Sequence, residues 1–185
     1  MKELLQKLIK KKKWTDYLLY SIVIIVGIIL DQLTKYLAVK YLAPVDTVPL
    51  INGVIHLTYV ENPGAAFGML AGMPWIFNTF SIVTCIVIAF YLYLGHADNK
   101  LYAISLSMIV SGGIGNLIDR LSLGYVVDFI DFRLINFAVF NGADSFVCIG
   151  AGILILALII DLKKEMKAEK ERIAAENAKA HEEDE

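Results

Sequence analysis

The chain has 185 residues, of which 57% are hydrophobic and 19% charged, and its mean hydropathy is +0.62, too apolar for a soluble domain of this length and fitting for a membrane protein. The formal charge is only −2, and the basic residues gather at the two ends, Lys2, Lys7 and Lys10 to Lys13 at one and Lys163, Lys164, Lys167, Lys170, Arg172 and Lys179 at the other, so no nucleic-acid-binding face is expected. Two cysteines, Cys85 and Cys148, are too few for a disulfide framework, three dispersed histidines offer no zinc ligand set, and no phosphate-binding glycine loop follows a strand, so neither a metal nor a cofactor is expected.

A hydrocarbon core of about 30 Å needs about 20 helical residues to cross it. Four such spans are predicted. The first runs from Tyr17 to Leu42, passing through the polar stretch Asp31-Gln32-Leu33-Thr34-Lys35 without a proline. Before it, Leu4, Leu5, Leu8 and Ile9 form a stripe among lysines that suits a helix lying on an anionic membrane surface. The connection from Ala43 to Met73 contains Thr47, Val48, Ile51, Val54, Ile55, Thr58 and Val60, interrupted by Pro49 and Asn52-Gly53, which predicts a small hairpin or sheet. Pro74 to Leu94 is the second span and Leu101 to Ile118 the third, separated by a tight turn. The fourth begins at Asp144 or Ser145 and ends at Ile160. The expected fold is therefore all-α and integral to the membrane, with a small extracytoplasmic β element. The expected organisation is an interfacial segment 1–16, a four-span domain 17–162 and a charged tail 163–185 that forms a solvated helix or a disordered end. Lysine is dense at both tails and absent from the first long connection, so both termini are expected in the cytoplasm and both long connections outside.

Ionisable residues at membrane depth cost roughly 2.5–3.5 kcal/mol each on insertion scales, so the few present require a reason. Asp31 and Lys35 are spaced i,i+4 and can neutralise one another across one helical turn. The densest polar material runs from Asn116 to Asp144 and includes Asp119, Arg120, Asp128, Asp131, Arg133, Asn136 and Asn141. Asp128 sits between Val127 and Phe129, where burial raises a carboxyl pKa, and Asp144 opens the fourth span. Two carboxyls sharing a proton can activate water at one and protonate a carbonyl at the other. Local readings compete: a helix cap for Asp144, and ion pairs of Asp119 with Arg120 and of Asp131 with Arg133. A proton- or ion-coupled carrier using Asp31, Asp128 and Asp144 is a second functional reading, and a non-catalytic assembly partner a third.

Five blocks occur in order: Asp31-Gln32-x-x-Lys35, Asn62-Pro63-Gly64-Ala65-Ala66-Phe67, Gly115-Asn116-x-x-Asp119-Arg120, Val126-Val127-Asp128-Phe129 and Phe140-Asn141-x-Ala143-Asp144. Together they resemble the lipoprotein signal peptidases (signal peptidase II), over about Gly27 to Asp161. The resemblance implies a monomeric aspartic endopeptidase of the bacterial cytoplasmic membrane, acting at the extracytoplasmic face on diacylglyceryl-modified prolipoproteins and cutting just before the lipid-modified cysteine. It implies Asp128 and Asp144 as the catalytic pair, with Asp119 as the rival for one place. Asn62, Asn116, Asn141, Arg120, Asp31 and Lys35 would support the site or hold substrate, Arg120 either bracing the acids or facing lipid phosphate.

Overall fold

The computed structural model describes residues 13–64, 74–97 and 99–183. The Leu4 to Ile9 stripe and the Ala65-Ala66-Phe67 part of the second block lie outside the described residues. Helix α1 spans Trp14–Leu37 and widens into a π-helical turn at Ala38–Leu42. Strands β1 (Thr47–Ile51) and β2 (Ile55–Asn62) follow, then helix α2 (Pro74–Tyr93), helix α3 (Lys100–Ser122), strand β3 (Val126–Phe132), a 3-10 turn Arg133–Ile135 and helix α4 (Gly142–Glu183).

Helix α3 is the centre of the bundle, packed against α1, α2 and α4. Its small residues permit that. A Cβ added to Gly112 would collide with the backbone oxygen of Ala143, and one added to Gly115 would stand 2.5 Å from a carboxylate oxygen of Asp31, so these two glycines let α4 and the polar face of α1 close onto α3. The three helical stretches Trp14–Leu42, Lys100–Ser122 and Gly142–Ala174 are each long and apolar enough to cross a membrane. The apolar stretch of α2 among the described residues, Asn78–Tyr93, is shorter, so three of the four expected spans meet the length requirement.

The β element is larger than the expected hairpin. Its three strands are antiparallel in the order β1-β2-β3, with Gly53 at φ +73° in the β1–β2 turn. The third strand comes from the connection between α3 and α4. Its sequence hides the usual strand alternation because both faces are covered: Val126, Val127 and Asp128 are all buried. Val127 packs with Ala38 and Leu42 at the end of α1, joined by Leu57, Tyr59, Tyr125 and Phe129, which seats the sheet on that helix.

Helix α4 continues through the charged tail as one 42-residue helix, about 63 Å at 1.5 Å per residue and twice the hydrocarbon thickness. Residues 163–174 are exposed and carry the ion pairs Lys167–Glu171 and Arg172–Glu169, as the solvated-helix alternative required.

Candidate active site

The i,i+4 pair on α1 forms, and it is the start of a larger buried cluster. Lys35 Nζ lies 2.9 Å from Asp31 Oδ2 and 3.0 Å from Asp119 Oδ2, and donates to Asn116 Oδ1 at 2.8 Å. An ammonium has three N–H donors, so the three acceptors saturate it. Asp31 Oδ1 accepts from the backbone N–H of Ala143 at 2.8 Å; a carboxylate carried by α1 thus satisfies an open amide in the first turn of α4.

Asp119 differs from its expected local pairing with Arg120. It ion-pairs across the helix seam with Lys35, and it also accepts from Gln32 Nε2 at 2.9 Å and from the backbone N–H of Val127 at 3.1 Å. The interhelical partner wins because Asp119 and Lys35 face each other across the α1–α3 seam, where burial strengthens the attraction. Asp119 therefore pins β3 to α3. Asp131 does pair locally, with Arg133 Nε at 2.8 Å, and accepts from Thr58 Oγ1 at 2.7 Å.

Strand β3 and the start of α4 bring Asp128 and Asp144 to one place. Asn141, just before α4, accepts from the Asp144 N–H through Oδ1 at 3.0 Å, while Asp144 Oδ2 accepts from the Asn141 N–H at 3.2 Å. This is a reciprocal capping box, so the helix-cap reading of Asp144 holds. The same Asn141 uses Nδ2 to donate to Asp128 Oδ1 at 2.7 Å and lies 3.0 Å from Asn116 Oδ1. Asn116 Nδ2 donates to Asp144 Oδ1 at 2.7 Å. Asn62, at the end of β2, donates to Asp128 Oδ2 at 2.9 Å while its own carbonyl accepts from the Gly64 N–H at 3.0 Å, so it forms the turn and reaches the acid at once. Each oxygen of the two carboxyls thus accepts an amide hydrogen.

A cavity of about 440 Å³ opens over this arrangement, lined by Asn62, Asn116, Arg120, Asp128, Asp144 and Ser145 together with the chain from Phe137 to Phe140. Asp119, Asp31 and Lys35 stand behind its wall. Arg120 lies in the field of Asp144, Asp128 and Asp119. Asp128 is only 2% exposed; its pKa is pushed up to about 6, first by burial and then by the neighbouring charge of Asp144, against the amide donors that favour its ionised form. The cavity therefore presents a carboxyl of raised pKa next to a second carboxyl at the start of a helix. Among the described residues, no group of three or more His, Cys, Asp or Glu side chains is placed to hold a metal ion.

The sequence profile described as Signal peptidase (SPase) II matches residues 23–160. The chain belongs to the signal peptidase II family. Three relatives, each named lipoprotein signal peptidase, are similar over most of its length. The one from Caldanaerobacter subterraneus subsp. tengcongensis is 53% identical over 135 residues, 72% of this chain and 92% of the relative. The one from Halalkalibacterium halodurans is 42% identical over 159 residues, 85% of this chain and all of the relative, and the one from Clostridioides difficile 45% over 144 residues, 77% and 95%. A solved structure described as a bacterial membrane enzyme superposes with a TM-score of 0.70 at 32% identity, covering 78% of this chain and 90% of that one. Membership in the signal peptidase II family makes this chain a peptidase and an integral membrane protein.

Two parts of the site were not singled out from sequence. Gln32 holds Asp119 and the backbone oxygen of Gly115, and the Val127 amide ties β3 to α3. Gln32 lies within the first signal peptidase II block, which was its only available signal; a backbone donor leaves none.

Proposed function

We propose that this chain is an aspartic endopeptidase that removes the signal peptide from diacylglyceryl-modified bacterial prolipoproteins, cutting just before the lipid-modified cysteine, with Asp128 and Asp144 as its catalytic pair and no metal or cofactor. The observation that carries the reading is that these two carboxyls line one cavity and are tied together through Asn141 and Asn116. Asp128, the carboxyl with the raised pKa, begins protonated and hydrogen-bonds the scissile carbonyl oxygen. Asp144 begins ionised and takes a proton from water as the water oxygen attacks the carbonyl carbon. Asp128 passes its proton to that oxygen, giving a neutral tetrahedral diol. Asp144 then returns its proton to the leaving amine, the C–N bond breaks, and Asp128 regains a proton from the diol. Asn62, at the cavity wall, contacts the substrate, and Arg120, also at that wall, braces the acids.

In this reading α2 is the second of four spans, both termini lie in the cytoplasm and the sheet with the cavity lies on the extracytoplasmic side of the bacterial cytoplasmic membrane. Residues 1–16 anchor at the interface, 17–162 form the peptidase and 163–185 are a cytoplasmic extension, the whole acting as a monomer. An apolar signal peptide stays among the spans and its acyl chains keep the scissile bond at cavity depth. The carrier reading fares worse, because the described buried acids gather at the sheet end of the bundle, whereas a relay needs polar groups at mid-membrane.

The test is incubation of the purified full chain in detergent with a diacylglyceryl-modified prolipoprotein and, separately, with its unmodified precursor. A size shift confined to the modified substrate supports the proposal; cleavage of neither overturns it.

A further inference from the structure

On the face of β3 opposite Asp128 lies a second cavity of about 380 Å³, almost wholly apolar, between the end of α1 and the underside of the sheet. Thr34, Leu37 and Tyr41 line it from the helix, and Val48, Leu57 and Phe129 from the strands. Successive strand residues point to opposite faces, so Phe129 closes this groove while its neighbour Asp128 faces the catalytic cavity. The two spaces are separate.

The groove lies at a definite depth. Tyr17 and Tyr36 are 19 residues apart on α1, about 29 Å at 1.5 Å per residue, which matches the hydrocarbon thickness and places the two rings at its opposite boundaries. Lys40 follows one turn beyond Tyr36, at the level of lipid headgroups. Its ammonium lies 5.8 Å from the Tyr36 ring centre and 5.1 Å from that of Tyr41, a cation–π arrangement that fixes the charge at the rim of the groove, because Tyr41 is one of its walls. The 32 residues that follow Tyr41 up to Met73 contain no lysine or arginine, so Lys40, just before this connection, is the cation at the groove rim for an anionic headgroup.

We propose that this groove is a binding site for one anionic phospholipid of the leaflet on the sheet side, its phosphate at Lys40 and the upper part of one acyl chain between α1 and the sheet. The volume equals that of about a dozen water molecules at roughly 30 Å³ each, room for part of a chain and not for a whole lipid. A zwitterionic headgroup brings its own cation beside Lys40, so a net negative headgroup is preferred. The lipid backs β3 from the side away from the substrate and is distinct from the acyl chains of the substrate, which carry no phosphate.

The full chain, delipidated in detergent and titrated with phosphatidylglycerol, phosphatidylcholine or diacylglycerol, is read by native mass spectrometry. One phosphatidylglycerol is expected to be retained, about fivefold more strongly than phosphatidylcholine, the contribution of one lysine near an anionic headgroup, with diacylglycerol weakest. Lys40→Gln, an exposed position, is expected to remove the preference, and Leu57→Trp to reduce retention of both phospholipids by filling the groove. Equal retention of phosphatidylglycerol and phosphatidylcholine by the native chain, or a preference unchanged in Lys40→Gln, overturns the proposal, whatever the folding of Leu57→Trp.

Discussion

The ammonium of Lys35 donates to Asn116 Oδ1 at 2.8 Å, which leaves the other end of that amide, Nδ2, to donate to Asp144 at 2.7 Å. A charge on α1 thereby fixes which way an α3 amide points, and the amide fixes a carboxyl of α4. Lys35→Met removes this orientation and leaves Asp31 and Asp119 buried without their cation. Breaking a buried pair in this way costs about 3–5 kcal/mol. The expected result in detergent is a large fall in thermal midpoint, partly recovered in Lys35→Met with Asp119→Asn, which restores the charge balance; a double variant no more stable than the single one would contradict the coupling.

The two acids of the cavity should separate in their effect on stability although both are expected to be needed for turnover. Asp128→Asn and Asp144→Asn are each expected to lower the cleavage rate by at least 10²–10⁴-fold, the span of general acid–base catalysis. Asp144 is also half of the capping box, so Asp144→Ala should additionally cost about 0.5–2 kcal/mol. Asp128 acts oppositely. Its folded pKa is raised from 3.8 to about 6, so its favourable contribution is complete below pH 3.8 and is lost as pH rises through 6. Relative to the native chain, Asp128→Asn should therefore be more stable at pH 8 than at pH 4, which melting curves of both proteins at the two pH values will test.

Local spacing made some of this architecture legible in the sequence. The Asp31–Lys35 pair needs only i,i+4 geometry, the hairpin only its β-branched run and Asn52-Gly53 turn, and the capping role of Asp144 only its place before an apolar helix. What could not be read locally was partner choice across elements. Asp119 has Arg120 beside it in sequence but meets Lys35 in space, and β3 looks like an undifferentiated apolar run because the end of α1 covers one face while the cavity side buries Asp128. The assignment of roles to Asp128 and Asp144 drew on the order of the five blocks, since two acids alone are equally good caps or ion-pair members.

The pH dependence of cleavage follows from the same carboxyl. The proposed first step requires Asp128 protonated, so kcat/KM, which reports the free enzyme, should decline as pH rises, with its basic limb near 6. Substrate filling the cavity removes further water from Asp128 and favours its neutral form, so the corresponding limb in kcat should lie at higher pH. Initial rates across pH 4–9 at low and saturating substrate distinguish the two limbs; a rate that rises through pH 6 and stays high at low substrate would assign the proton to another group.

Gly115 offers a test of how closely α1 must approach α3 for the site to form. A Cβ there would stand 2.5 Å from Asp31 Oδ2, 3.1 Å from its Cγ and 3.3 Å from the Ala143 Cβ, and the carboxylate cannot retreat without leaving both Lys35 and the Ala143 amide. Gly115→Ala is therefore expected to destabilise by about 1–3 kcal/mol, the usual cost of overpacking, and to slow cleavage by displacing the start of α4 and with it Asp144. Gly152 is the matched control, since it is on the same bundle and a Cβ there meets nothing within 4 Å; Gly152→Ala should be neutral or stabilising by up to about 1 kcal/mol through the helix preference for alanine. Melting temperatures and cleavage rates of the two variants, measured side by side, decide the matter: equal behaviour would mean that the α1–α3 seam tolerates separation and that Asp31 does not hold α4 in place.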